Sequence, residues 1–149
     1  MTLEITDRSD MMEEEDERSS YKDFTSLRCW QSCREVKLFI YNKIIPQLPQ
    51  EEKHNLNFQV RKSARSITAN IAEGAGRYHY QEAIQFLRIS RGSLDELLDD
   101  LIFCYDMHYI SSDLYDEGKE KIKIAKAGLN GFIHYNEKQK SNNVNNRIK

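Results

Sequence analysis

Arg61, Lys62 and Arg65 are separated by one, three and four residues, which on an α-helix gathers three cations on one side. Such a patch has the geometry to meet phosphates. It also has the look of an ordinary solvated helix face, and the run around it carries neither interleaved aromatic residues nor a base-reading motif, so sequence-specific recognition is not expected. Arg77, Arg88 and Arg91 follow as further candidates for phosphate contact. Asn70, Glu73, Gly74 and Arg77 form a second grouping near a helix end. There an amide, a carboxylate and a guanidinium can satisfy one another or the loop backbone, which is a structural role.

Other chemistry finds less support. A catalytic Glu73 needs a second acid or a nucleophile at a set distance, and the chain offers only generic carboxylates such as Glu82 and Asp95. A di-metal bundle needs a pair of Glu-x-x-His motifs, whereas Glu51-Glu52-Lys53-His54 supplies one. Cys29 and Cys33 stand at i and i+4 with no histidine near them and read as small buried side chains, while Cys104 has only His108 one turn away, weak ground for a nucleophile and base. Tyr78, His79 and Tyr80 could stack on bases, but at a helix start they more readily close the end of a bundle. The expectation is no catalytic residue, no metal and no cofactor.

Four apolar stripes must position these residues. Leu27, Trp30, Cys33, Val36, Ile40 and Ile44 predict a first helix that ends near Pro46 and Pro49. Leu56, Val60, Ser63, Ala64, Ile67, Ile71 and Gly74 predict a second, closed by Gly74 and Gly76. A third runs from about Tyr80 to Met107 through Ala83, Ile84, Leu87, Ser90, Leu94, Leu97, Leu98, Leu101 and Tyr105; Phe86 and Ile89 widen its apolar face. Ser111-Ser112-Asp113 offers a cap for a fourth, carried by Leu114, Ile122, Ala125, Leu129 and Phe132. Short connections between long helices predict an all-α, antiparallel up-down-up-down four-helix bundle. Gly92, Gly118, Gly128 and Gly131 cut against it, since an interior glycine costs about 1 kcal/mol relative to alanine; each either admits a close neighbour or marks fraying.

With 149 residues, 39% hydrophobic and 31% charged, the chain has material for one core and little for two. Its net charge of -2 is uneven: residues 1–23 carry a net of -6 and the rest +4. The run Met11-Met12-Glu13-Glu14-Glu15-Asp16-Glu17 predicts a disordered acidic tail over 1–20, and the polar, aperiodic 138–149 a second disordered tail, leaving 21–137 as the bundle. An acidic start and the absence of any apolar run of about 20 residues predict a cytoplasmic protein with no membrane partner. Three cysteines, an odd number, predict reduced thiols.

The run from Gln59 through Arg61-Lys62-Ser63-Ala64-Arg65-Ser66-Ile67 to Asn70-Ile71-Ala72-Glu73-Gly74-Ala75-Gly76-Arg77 resembles the signature of the four-helix-bundle proteins encoded in 23S rRNA intervening sequences. Leu27, Trp30 and Ile40-Tyr41 resemble that family's first helix, and Phe86-Leu87 with Arg91-Gly92-Ser93-Leu94 its third, so the likeness spans about Phe24 to Phe132. Thr68 departs from it, standing where the family commonly carries proline, and implies a straighter second helix. The resemblance implies a protomer of a ring-like homopentamer. It also implies kinship with the accessory variability protein of diversity-generating retroelements, which binds reverse transcriptase and nucleic acid.

Two features of the residues themselves point toward self-association. The apolar arc of the third helix is wider than one core contact needs, and its charges run from Arg77, Arg88 and Arg91 early to Asp95, Glu96, Asp99, Asp100 and Asp106 late, which a head-to-tail ring can pair. The functional expectation is a non-enzymatic homo-oligomeric scaffold, a pentamer by resemblance, that binds structured RNA or DNA, or a nucleic-acid enzyme such as a reverse transcriptase, through its basic face. The alternative is a protein-interaction module without a nucleic-acid role.

Overall fold

The computed structural model describes residues 23–148, and every regular element among them is helical. The acidic segment expected to be a tail, 1–20, lies outside the described residues. After a short 3-10 turn over Phe24–Ser26 come four helices: α1 (Arg28–Phe39), α2 (Leu56–Ala75), α3 (Tyr80–Asp106) and α4 (Ser112–Ile148).

The ends of these helices follow local chemistry. α1 widens into a π turn over Ile40–Ile44, where the Ile45 N–H reaches back to the Ile40 carbonyl, and Pro46 then has no N–H to continue the ladder. The Glu52 carboxylate accepts the Leu56 N–H at 3.2 Å and so serves the first turn of α2, while also taking the Tyr109 hydroxyl at 3.4 Å. Ser111 caps α4 as its sequence suggests, its Oγ accepting the Leu114 N–H at 3.2 Å.

Contacts between helices fix their directions. Tyr41 of the π turn and Lys37 of α1 meet Arg61 and Thr68 of α2, so numbers rise on one helix as they fall on the other. Ser63, Ser66 and Ile67 of α2 meet Glu96, Ser93 and Ser90 of α3 in the same opposed order. Arg88, Arg91 and Asp95 of α3 meet Glu137, Asn130 and Lys126 of α4. Gly118 and Gly128 of α4 lie against Phe39 and Cys29 of α1 and close the square. Each helix thus runs opposite to its two neighbours, the order that short connections impose.

The predicted stripes supply the core: Val36, Ile40, Ile44, Ile67, Ile71, Ile84, Leu87, Leu94, Leu97, Leu101, Leu129 and Phe132 are all but sealed from solvent. The α2–α3 seam is narrow because its facing residues are small, and their hydroxyls are satisfied across it. Ser90 Oγ donates to the Ile67 carbonyl at 2.6 Å, Ser66 and Ser93 hydroxyls share a bond at 2.8 Å, and Ser63 Oγ donates to Glu96 at 2.9 Å. Gly74 admits the Ala83 carbonyl and Phe86, whose atoms would lie 3.1 and 3.2 Å from a Cβ there.

Two expectations change, at Tyr105 and at the end of α4. Tyr105 stays at the surface, stacked on Tyr115 with ring centroids 4.5 Å apart, whereas Ile89, which widens the apolar arc beyond one core contact, is 53% exposed. Thr68 leaves α2 unbroken from Leu56 to Ala75, with its own hydroxyl turned to the Arg65 carbonyl and to Lys37. Finally, α4 continues as helix through 138–148, where the sequence reads as a polar tail. Adding residues to a helix already nucleated costs far less than starting one, and Lys140 hydrogen-bonds Gln81 on α3. Among the described residues Asn136 is the last buried one of α4, and 140–147 are exposed.

Candidate nucleic-acid interface

Because α2 buries Val60, Ala64, Ile67 and Ile71, its opposite face carries Phe58, Arg61, Lys62 and Arg65, which recur at steps of three and four residues and share one exposed side. α1 contributes Lys37, and the π turn that continues it contributes Tyr41, one turn on. Between the two helices these side chains, with Ser66, Thr68 and Ala69, line an open groove of about 700 Å³.

No carboxylate lines it. Among the described residues, none of the ion pairs uses Lys37, Arg61, Lys62 or Arg65. Their partners are neutral: Lys37 Nζ donates to Thr68 Oγ1 at 3.0 Å, and Arg61 Nε donates to Asn57 Oδ1 at 2.5 Å while its guanidinium lies 5.1 Å over the Tyr41 ring. The crowding of positive charge shows in Lys37, whose ammonium is pulled below its usual pKa by partial burial and then by the charges of Arg34 and Arg65. A site with that balance lowers its energy by taking up an anion.

The remaining arginines singled out from the sequence lie elsewhere. Arg77 bonds Glu73 at 2.6 Å, reaches Glu82 at 3.9 Å and covers the Phe86 ring at 4.9 Å, so it closes the α2–α3 end of the bundle. Arg88 pairs with Glu137 at 3.2 Å and Arg91 donates to Asn130 at 3.1 Å, both across the α3–α4 seam. In a square of four helices that seam faces away from the α1–α2 groove. Asn70 joins neither Glu73 nor Arg77; its amide donates to the carbonyl and hydroxyl of Ser66, both at 2.9 Å.

The aromatic component of the groove went unread in the sequence. Tyr41 comes from another helix, and no local pattern announces it. Phe58 was within reach of pattern reading, since it stands three residues before Arg61 on the same stripe. It is 59% exposed.

The thiols sit apart from the groove. Cys29, Cys33 and Cys104 are buried, and burial pushes Cys33 and Cys104 up to about 12, with the charges of Asp100 and Glu52 adding to the shift at Cys104. Cys33 and Cys104 are protonated packing groups near neutral pH. A second groove, between α2 and α3, collects the opposite charge: Asp95, Glu96, Asp99 and Asp100 line it with Ser63, Ser66 and Lys62. There Asp100 is raised to about 6 by burial and by the neighbouring charges of Asp99 and Glu96. Among the described residues, no helix is long and apolar enough to cross a membrane.

Residues 25–131, which take in all of α1, α2 and α3 and half of α4, match the model of the family described as 23S rRNA-intervening sequence protein. No curated protein matches the chain.

Proposed function

The chain belongs to the 23S rRNA-intervening sequence protein family, and from that premise we propose that it is a non-enzymatic, homo-oligomeric scaffold that docks structured nucleic acid through the α1–α2 groove. The observation that carries this reading is the set of four cations in one groove with no carboxylate among them. Phosphate binding there is electrostatic and independent of sequence, and repetition of the groove around an oligomer multiplies it.

Self-association is supported by two further features. Ile89, Ile102 and Phe103 of α3, with Met107 just past its end, are apolar yet exposed, and the acidic half of α3 is concentrated at Asp95, Glu96, Asp99 and Asp100. A pentamer whose protomers pair these acids with a neighbour's cations loses mass in an Asp99→Lys, Asp100→Lys variant; retention of the wild-type mass by light scattering removes that pairing.

Fluorescence anisotropy of the purified oligomer with structured RNA and with duplex DNA, at low and near-physiological salt, tests docking. Binding that weakens steeply as salt rises is the expected result. Failure to bind either at low salt gives the groove to a protein partner, such as an enzyme acting on nucleic acid.

A further inference from the structure

Phe58 has no packing duty that accounts for it. Its ring is more than half in solvent, on the first turns of a helix whose core stripe is already complete with Leu56 and Val60. A single exposed aromatic residue is common on protein surfaces. This one, however, lies in the cation-lined groove and on the same helical stripe as Arg61, Lys62 and Arg65. At 1.5 Å per residue, Arg61 and Lys62 stand about 5 to 6 Å further along the axis from Phe58 and Arg65 about 10 Å. The neighbouring ring is differently employed: Tyr41 is half-buried and holds the Arg61 guanidinium against its face, so it positions a cation.

We propose that this groove takes a single-stranded segment of nucleic acid, with one unpaired base stacked on Phe58 and the phosphates that follow it on Lys62, Arg65 and Lys37. The proposal rests on the phosphate-docking reading and narrows it to strands whose bases are free. In a duplex every base face is already covered by its neighbours, and an exposed ring beside the phosphate track gains nothing from it. In a loop, a bulge or an unfolded strand the base offers a face to the ring while its phosphates meet the cations. The groove sets its apolar residues, Tyr41, Phe58 and Ala69, among four cations, which does not suit the continuous apolar face of an amphipathic protein helix. Its charge would suit an acidic peptide, but such a peptide makes no special use of a flat aromatic face.

The test compares a short unstructured RNA with a duplex of the same sequence, by anisotropy at one salt concentration, for the full chain and for Phe58→Ala and Phe58→Leu. The exposure of Phe58 leaves the fold intact in both variants, which thermal melting verifies. The wild type is expected to favour the single strand by about tenfold, and both variants to lose that preference while keeping duplex binding and its salt slope unchanged. Equal affinity of the wild type for the two forms overturns the inference while leaving phosphate docking in place. So does a Phe58→Leu variant that still favours the single strand, which would assign the effect to apolar bulk. A polyglutamate peptide that binds more tightly than the single strand also overturns it, in favour of an acidic protein partner. Absence of binding to both nucleic acids overturns the docking reading itself.

Discussion

The α1–α2 and α3–α4 seams carry similar numbers of cations and use them differently. Across α3–α4, Arg88 meets Glu137, Lys126 meets Asp95 at 2.7 Å, and Arg91 meets an asparagine carbonyl. Across α1–α2, Lys37 meets a hydroxyl and Arg61 an aromatic ring, with an amide oxygen of its own helix beside it, while Lys62 and Arg65 enter no ion pair among the described residues. A cation matched by a carboxylate on the next helix is part of the fold. A cation matched only by neutral groups keeps its full charge for something outside it. The difference depends on what the neighbouring helix brings, and counting charges along one helix does not reveal it.

The largest effect expected from this contrast is on binding. Replacing Arg61, Lys62 and Arg65 by alanine lowers nucleic-acid affinity at low salt by about a hundredfold, and flattens the dependence of log affinity on log salt by about two to three. Replacing Arg88 and Arg91 changes affinity by less than about threefold. Comparable losses from the two variants, in the same anisotropy titration, would show that the seams are not functionally distinct.

Two glycines separate loss of site from loss of fold. A Cβ at Gly118 would lie 2.7 Å from Leu101 Cδ2 and 2.9 Å from Phe39 Cε1, so Gly118→Ala forces the α1, α3 and α4 side chains apart and costs about 1 to 2 kcal/mol. Gly92 has nothing within 4 Å of its Cβ position, and Gly92→Ala gains up to about 1 kcal/mol of helix propensity. Urea midpoints should move in opposite directions for the two variants. RNA affinity below the unfolding transition should stay at the wild-type value in both, because neither residue lines the α1–α2 groove.

The elements were more legible than the site, and for a local reason. The Leu56 to Gly74 stripe repeats within a few residues of itself, and the Ser111 cap acts on Leu114 three residues away. Pattern reading therefore recovers all four helices. The pairing of Arg88 with Glu137 spans 49 residues and that of Lys126 with Asp95 spans 31, so nothing in either neighbourhood marks these cations as taken. Asn70 was placed with Glu73 and Arg77 by proximity, yet its amide turns to Ser66 one turn earlier. The exposed Ile89 shows the same limit, because a wide apolar arc identifies surplus surface without saying which edge faces inward.

A pH effect extends the comparison to the acidic α2–α3 groove, where like charges are also crowded. The folded pKa of Asp100 is raised from 3.8 to about 6, by burial first and then by Asp99 and Glu96. Between those two values the folded chain holds the proton more tightly than the unfolded chain, so this residue makes the bundle more stable as pH falls from about 7 towards 4. Above about 6 its charge is a burden on the fold. Asp100→Asn should therefore stabilise the protein at pH 7 by about 1 kcal/mol, a figure reduced for solvent screening at a half-exposed site. Its advantage should shrink at pH 5, and urea unfolding at the two pH values measures it. An equal gain at both would assign the effect to something other than ionisation.

The smallest expected effect lies in the α3–α4 pairs themselves. Arg88–Glu137 and Lys126–Asp95 are exposed, and exposed pairs contribute about 0.2 to 1 kcal/mol each. A double-mutant cycle on Lys126 and Asp95, read from urea unfolding at low salt, should return a coupling within that range that fades as salt is added. The corresponding cycle on Lys37 and Arg65 should return a coupling of opposite sign, because those two charges repel and the Lys37 pKa already registers it. Removing either cation from the α1–α2 groove then relieves the fold slightly while weakening phosphate binding. That opposition between stability and affinity is what a groove held open for an anion requires, and the α3–α4 seam should not show it.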